Sequence, residues 1–264
     1  DCAVGAGFVT RGSTTRSNRC VVLRRARRRQ QPIFTHADRA QSRRGQVPTR
    51  AGAQRQIEFA MITRGKLITL EGVDGSGKST HLEQIEQTLS AAGHRVLRTR
   101  EPGGTLLAES LRKLVLDVPM DGVCEVLLMF AARADHVRTV IRPEMEAGTW
   151  VLCDRFTDAT VAYQGAGKGV SLGLIHDLAQ AAHPGLTPDR TLVFDCPYEI
   201  ARARLAGTGR PMDRFEREDR AFFDRVRRAY LEAARRDPAR VHVIDASKDL
   251  DEVKKQIEVN LLTI

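Results

Sequence analysis

From Met61 onward, short apolar runs alternate with segments in which apolar residues recur every three or four positions. Runs of four to six apolar residues are typical of strands that are buried on both faces of a sheet. They predict five strands, at residues 66–71, 95–99, 149–154, 191–195 and 241–245.

The periodic segments predict helices that lie between these strands. In residues 79–92, for example, Leu82, Ile85 and Leu89 share one face, and Gly93 marks the end of the helix. The other predicted helices are residues 109–116, 125–141, 171–182, 198–205, 218–236 and 250–262. Strands and helices that alternate in this order indicate an α/β fold, with a five-stranded parallel sheet between two layers of helices.

Residues 1–60 have a different character. They contain 13 arginines, no lysine and three acidic residues, and apolar periodicity never lasts two helical turns. We expect a disordered Arg-rich extension, followed by one folded domain at residues 61–264. Three origins are open: sequence translated upstream of a natural start at Met61, which we favour, an organelle transit peptide, or a nucleic-acid-binding arm.

The net charge of +9 comes from this extension, because residues 61–264 contain 29 basic and 30 acidic residues. We therefore do not expect the folded domain to bind nucleic acid. No apolar stretch approaches the roughly 18 residues of a membrane span, so no membrane association is expected. The five cysteines include no C-x-x-C pair, which argues against a zinc site and favours reduced thiols in a cytosolic compartment.

One motif carries clear chemistry. Residues 72–79 read G-V-D-G-S-G-K-S and match the phosphate-binding loop G-x-x-x-x-G-K-[ST], placed between a predicted strand and a predicted helix. Backbone N–H groups of such a loop surround phosphate oxygens, the lysine reaches the β- and γ-phosphates, and the serine is a ligand of Mg²⁺. The predicted ATP-binding residues are Gly72, Val73, Asp74, Gly75, Ser76, Gly77, Lys78, Ser79 and Thr80.

Three further motifs follow the loop: R-E-P-G-G-T at 100–105, D-R-F at 154–156 and Y-Q-G at 163–165. In kind and order, the four motifs resemble those of thymidylate kinases, which transfer the γ-phosphate of ATP to dTMP for dTTP synthesis. The resemblance implies a three-layer P-loop kinase fold with a mobile lid, Mg²⁺ as cofactor, ATP and dTMP as substrates, a homodimer and a cytoplasmic location.

The resemblance also implies roles for single residues. Arg155 would hold the acceptor phosphate, Asp154 would lie near Mg²⁺ with Ser79, and Phe130 would stack on thymine. The predicted dTMP-binding residues are Glu101, Pro102, Phe130, Arg133, Arg155, Thr160, Tyr163 and Gln164. Many members of the family place the phenylalanine four residues before the arginine, where this chain has Met129, so packing of Phe130 in the core is the alternative.

The predicted catalytic residues include two groups besides Lys78 and Arg155. By resemblance, Asp74 would approach the acceptor sugar or an arginine that binds its phosphate. Some members carry a basic residue at the position of Gly75, and members that lack it place the charge in the lid. Residues 204–214 would then be the lid, with Arg204 or Arg210 as its catalytic cation. The alternatives are a kinase for another nucleoside monophosphate and a nucleic-acid-binding P-loop protein.

Overall fold

The computed structural model describes residues 63–264, and the prediction for residues 1–60 lies outside them. Five parallel strands form one sheet in the order β2-β3-β1-β4-β5. The strands are β1 (Leu67–Glu71), β2 (Val96–Arg100), β3 (Trp150–Asp154), β4 (Arg190–Asp195) and β5 (Val241–Asp245). The predicted five-stranded parallel α/β fold is confirmed.

Helices lie between the strands along the chain, and two of them contain wider π-helical turns. The helices are α1 (Lys78–Ala91), α2 (Leu106–Asp117), α3 (Gly122–His136), α4 (Arg142–Glu146), α5 (Thr157–Thr160), α6 (Leu172–Ala182), α7 (Tyr198–Ala206), α8 (Arg220–Arg236) and α9 (Leu250–Leu261). The π-helical turns are π1 (Val137–Ile141), which joins α3 to α4, and π2 (Val161–Gly167), which continues α5. None of the helices in residues 63–264 is long and apolar enough to cross a membrane.

The sheet is covered on both faces, as the apolar strands predict. In β3, Val151 and Cys153 belong to a core cluster with residues of π1 and α4, whereas Leu152 belongs to the cluster beneath α1, α8 and α9. Successive side chains of a strand point to opposite faces, so the two clusters are the two layers of the core.

Most predicted elements are confirmed to within a few residues, and three differ. Helix α2 begins earlier than predicted because the Thr105 hydroxyl accepts a hydrogen bond from the Ala108 N–H at 3.0 Å and caps the helix. The predicted helix 125–141 widens into π1 after His136. Helix α5 and π2 were not predicted, because their small and polar residues show no apolar periodicity.

The burial of the core predicts that two leucine substitutions differ strongly in their effect on the free energy of unfolding. Leu152→Ala should lower the free energy of unfolding by about 2–5 kcal/mol, because it leaves a cavity at a fully buried side chain. Leu262→Ala, at a side chain that is 83% exposed, should change it by less than about 0.5 kcal/mol. Urea denaturation of both variants measures the difference, and equal losses would contradict this description of the core.

Candidate active site

The phosphate loop connects the central strand β1 to α1, and its glycines allow the backbone to turn tightly. Gly72, Gly75 and Gly77 have φ values of 126°, 80° and 96°, which side-chain-bearing residues rarely adopt. Space is also limiting, since a Cβ atom at Gly75 would lie 2.4 Å from the carbonyl oxygen of Ala201. Only glycine at these positions lets the loop backbone approach its neighbours so closely. The same property lets the backbone approach a phosphate group.

Lys78 lies over this loop. Its ammonium group donates to the carbonyl oxygens of Gly72 at 3.1 Å and Val73 at 3.0 Å, and its side chain is buried. Burial lowers the pKa of Lys78, and the nearby guanidinium of Arg155 lowers it further. A bound polyphosphate would supply the negative charge that stabilises the ammonium form.

Arg155 is the most highly connected side chain of the site. Its Nη1 donates to the Gly72 carbonyl at 2.9 Å and to the Tyr230 hydroxyl at 3.3 Å. Its Nη2 donates to Asp74 Oδ1 at 2.6 Å and to the Tyr163 hydroxyl at 3.1 Å. Arg155 also has a φ of 72°, the only positive φ outside glycine in residues 63–264. Such a backbone persists only where surrounding contacts hold it, and is common at functional sites.

Asp74 is the anionic partner of this arginine. Its second oxygen accepts a hydrogen bond from the Tyr163 hydroxyl at 2.8 Å. Burial by itself would raise the pKa of Asp74, but Arg155 and Lys78 outweigh it and lower the pKa to about 2. Asp74 therefore remains ionised at neutral pH and fixes the guanidinium beside the phosphate loop.

Glu71 lies below this network at the end of β1 and is fully buried. Its carboxyl group accepts hydrogen bonds from the Phe156 N–H at 2.7 Å and the Tyr230 hydroxyl at 2.8 Å. Burial, with a smaller contribution from Asp158, raises the pKa of Glu71 from 4.5 to about 8. Through Tyr230, this carboxyl group is linked to Arg155.

A second buried ion pair lies farther from the phosphate loop. Arg133 on α3 donates to Glu101 at 2.5 Å, and His136 contacts the other oxygen of Glu101 at 3.0 Å. Arg133 also donates to the Phe156 carbonyl and the Thr160 hydroxyl, both at 3.1 Å. Within residues 63–264, its Nη1 is buried with no hydrogen-bond partner. A buried, unpaired guanidinium nitrogen is a donor that a ligand carbonyl can satisfy.

One cavity connects the two arginine sites. Its walls contain seven of the eight predicted dTMP-binding residues, together with Asp74: Glu101, Pro102, Arg133, Arg155, Thr160, Tyr163 and Gln164. The sequence therefore selected residues that the fold brings together from α3, α5, π2 and the loops that follow β2 and β3.

Phe130 is the exception, and its packing is the alternative that the sequence left open. It does not line the cavity but packs in a core cluster with Val126 and Ile175. Its ring lies beneath the guanidinium of Arg133, 4.7 Å away. Met129 lines the cavity instead, because one residue along a helix turns the side chain by about 100°.

The two candidate lid arginines occupy different places. The predicted lid, residues 204–214, covers the end of α7 and part of the loop 207–219 that joins α7 to α8. We call this loop the lid. Arg204, at the end of α7, contacts the phosphate loop through the Ser76 carbonyl at 3.4 Å and also donates to the Ala246 carbonyl at 2.9 Å. Arg210 lies within the lid and pairs with the buried Glu216. Of the two, Arg204 lies against the phosphate loop.

The predicted metal ligands Ser79 and Asp154 line one surface cavity next to the N-terminus of α1. In the described part of the chain, Asp154 Oδ1 is buried and has no hydrogen-bond partner. A buried oxygen of this kind beside a phosphate loop is suited to a hydrated cation.

Several residues of the site were not assigned from the sequence: Glu71, Arg112, Glu125, Met129, Phe156, Arg214, Phe215 and Tyr230. A signal was present for one group, since Glu125, Met129 and Arg133 are spaced four residues apart and therefore share one face of α3. No such signal was present for Glu71. It is the charged last residue of an otherwise mostly apolar strand, and from the sequence its side chain could equally have been exposed to solvent.

A phosphate loop on a parallel sheet, with a buried arginine facing a neighbouring cavity, defines a P-loop kinase that binds a small acceptor. Comparison with known proteins identifies which family of P-loop kinases this is: residues 70–257 match the family "Thymidylate kinase". The match covers more than half of the chain, which therefore belongs to the thymidylate kinase family of nucleoside-monophosphate kinases.

Named relatives agree with this assignment. This chain is 54% identical to the thymidylate kinase of Bordetella pertussis over 198 residues, which cover 75% of this chain and 95% of the relative. The chain is 51% identical to the thymidylate kinase of Cupriavidus metallidurans over 201 residues, which cover 76% of this chain and 100% of the relative. The crystal structure of thymidylate kinase from Ehrlichia chaffeensis aligns with a TM-score of 0.61 and 33% identity, covering 76% of this chain and 99% of that one.

The raised pKa of Glu71 predicts a pH-dependent stability. Between pH 4.5 and about 8 the carboxyl group is protonated in the folded protein and ionised in the unfolded chain. The folded state then binds more protons, so the free energy of unfolding falls as the pH rises, by up to about 1.4 kcal/mol per pH unit. Glu71→Gln removes this titration, and urea denaturation at several pH values should show a flatter profile for the variant.

Glu232→Gln, at an exposed ion-paired glutamate of α8, is the control and should keep the wild-type profile. If Glu71→Gln and the wild type ran parallel from pH 5 to 8, Glu71 would not be the protonated group.

Proposed function

We propose that this protein transfers the γ-phosphate of ATP to dTMP, giving dTDP and ADP. The observation that carries the proposal is one cavity beside the phosphate loop that is lined by both Arg155 and Arg133. Arg133 Nη1 is buried and has no hydrogen-bond partner among residues 63–264. A nucleoside monophosphate has a dianionic phosphate at one end and base carbonyl groups at the other. The family assignment selects thymine as the base.

The reaction needs alignment more than acid–base chemistry, because the acceptor phosphate is already anionic at neutral pH. Lys78 and the loop N–H groups would hold the ATP phosphates, while Arg155, fixed by Asp74, would hold the acceptor phosphate. Arg204 would add positive charge at the loop as charge develops on the transferring group. The lid would exclude the water that could otherwise accept the phosphoryl group.

We propose Mg²⁺ as the cofactor, held by Ser79 and Asp154 together with the ATP phosphates. The buried, unpartnered oxygen of Asp154 supports this assignment. No group of three or more metal-ligating side chains occurs among residues 63–264, which fits an ion bound chiefly by nucleotide phosphates and water. When bound, the ion would neutralise charge on the β- and γ-phosphates.

Base recognition would use the far end of the cavity. Arg133 Nη1 would donate to a thymine carbonyl, with Thr160 and Gln164 on the adjacent wall. Met129 occupies the position that a stacking phenylalanine holds in many family members, and its polarizable thioether suits contact with a flat ring. Tyr163, whose hydroxyl is held by Asp74, would lie against the deoxyribose and disfavour a 2′-hydroxyl.

A homodimer is the proposed assembly. Leu114 of α2, Val118 directly after it, and Val123 and Leu127 of α3 are between 45% and 50% exposed, and the two helices are adjacent. Exposed apolar residues grouped in this way are typical of protein interfaces. We further propose a cytoplasmic location, which the buried free thiols of Cys153 and Cys196 support.

A nucleotide panel tests the proposed reaction. The full chain with ATP and Mg²⁺ should form ADP rapidly with dTMP, more slowly with dUMP, and very little with AMP, GMP or CMP. Lys78→Met should lower kcat/KM for dTMP at least 100-fold, because it removes the cation at the β- and γ-phosphates, while the thermal transition changes little. Preference for another monophosphate, or full activity of Lys78→Met, would reject the assignment.

A charge in the apolar face tests the dimer. Leu127→Glu should shift the molecular mass in analytical ultracentrifugation from dimer to monomer, because a carboxylate would be buried in the interface without a partner. Leu250→Glu, at a leucine of α9 that is 63% exposed, should leave the mass unchanged. A monomeric wild type, or a dimer that tolerates Leu127→Glu, would contradict the proposed interface.

A further inference from the structure

Glu125 is a fully buried carboxylate that the proposed reaction does not use. It lies in the first turn of α3, which Asp121 caps through the N–H groups of Val123 and Cys124. A buried charge is costly unless it is paired and hydrogen-bonded, so the partners of Glu125 indicate what maintains it.

Three donors from different parts of the chain meet at this carboxylate. Gln164 of π2 donates its amide nitrogen to Oε2 at 3.0 Å. Arg214 of the lid donates Nη1 to Oε1 at 2.7 Å, and Lys168, just after π2, donates to the same oxygen. Glu125 is therefore a single contact point shared by the base end of the cavity and the lid.

The contact with Gln164 determines which atom faces the substrate. Gln164 is buried and lines the acceptor cavity. Because the amide nitrogen faces Glu125, the amide oxygen lies on the other branch of the amide and is the acceptor that Gln164 can offer a ligand in the cavity. An amide oxygen accepts from the N3–H of thymine but finds no donor at N3 of cytosine.

The contact with Arg214 determines where the lid lies. The two neighbours of Arg214 in the chain, Asp213 and Phe215, both line the acceptor cavity. Arg214 also donates Nε to the Val115 carbonyl of α2 at 2.6 Å. The lid is thus anchored on α2 and α3 through one arginine, and this anchor places its inner surface against the cavity.

We propose that Glu125 is a positioning residue that couples base recognition to lid closure. One carboxylate orients the Gln164 amide and anchors Arg214, so an acceptor that satisfies Gln164 also stabilises the site where the lid attaches. An acceptor that displaces Gln164 would disturb the same carboxylate and release the lid. This inference rests on the proposed transfer to dTMP.

Two variants separate the lid contact from the rest of the fold. Glu125→Gln keeps an oxygen for the Gln164 amide and removes the charge that holds Arg214. Arg214→Met removes the lid partner and leaves α3 unchanged. Glu232→Gln, which also neutralises an arginine-paired glutamate but lies on α8, is the control.

The first measurement is hydrogen exchange of the lid amides, residues 207–219, in the full chain by mass spectrometry. In the wild type and in Glu232→Gln, saturating dTMP should slow exchange at least ten-fold. In Glu125→Gln and Arg214→Met it should slow exchange less than two-fold, although dTMP still binds. If both variants kept the wild-type protection, the coupling would be rejected, and if one failed to fold the other would decide.

The second measurement separates this role from general destabilisation. Both variants should lower kcat with dTMP at least ten-fold, with KM changed less than three-fold, and should release more ADP than dTDP because water reaches the γ-phosphate. Glu125→Ala, which also frees the Gln164 amide, should reduce the preference for dTMP over dCMP at least ten-fold. Unchanged kcat, stoichiometry and base preference would overturn the proposal, whereas no dTMP turnover by the wild type would reject the proposed reaction itself.

Discussion

The guanidinium of Arg155 is the interaction on which the site depends. It joins the phosphate loop, the end of β3, π2 and α8 through hydrogen bonds to Gly72, Asp74, Tyr163 and Tyr230. Arg155 is only 17% exposed, and a cation so far removed from water is tolerated only where charges and dipoles compensate for lost hydration. These elements must therefore keep their relative positions. The same constraint aligns the loop that would hold ATP with the cavity that would hold the acceptor.

Three buried glutamates support the arginines of the site in different ways. Glu101 pairs directly with Arg133, and Glu125 pairs directly with Arg214 of the lid. Glu71 acts through Tyr230 and has a pKa raised to about 8, so its neutral form is largely retained at physiological pH. Glu101 and Glu125 therefore hold their arginines by direct pairing, whereas Glu71, whose pKa is raised, is linked to Arg155 through Tyr230.

Such a site is pre-organised because its polar groups are already oriented by the protein. In phosphoryl transfer, where the protein supplies position and charge and little covalent chemistry, pre-organisation is the main source of rate. Besides Arg214 Nη2 in the lid, the exceptions in the site are Arg133 Nη1 and Asp154 Oδ1, which have no partner within residues 63–264. One is placed to meet a base carbonyl, and the other lies beside the phosphate loop, where the proposed substrate and cation would satisfy them.

The sequence by itself determined the strands, most helices and the motifs that carry chemistry, because apolar periodicity and the phosphate loop are local signals. It also selected seven of the residues that line the acceptor cavity, through the family resemblance. It placed Phe130 on the wall, where the structure has Met129, because helix phase depends on how α3 packs against its neighbours.

The sequence did not reveal Glu71, Glu125 and Tyr230 as a support layer, and it could not choose between Arg204 and Arg210. Their partners are distant along the chain: Tyr230 meets Glu71 across 159 positions, and Arg214 meets Glu125 across 89. A buried charge is recognisable only when its partners are known, and those partners are set by the packing of α3, α8 and the lid on the sheet. Only the tertiary structure determines which groups are the partners of these buried charges.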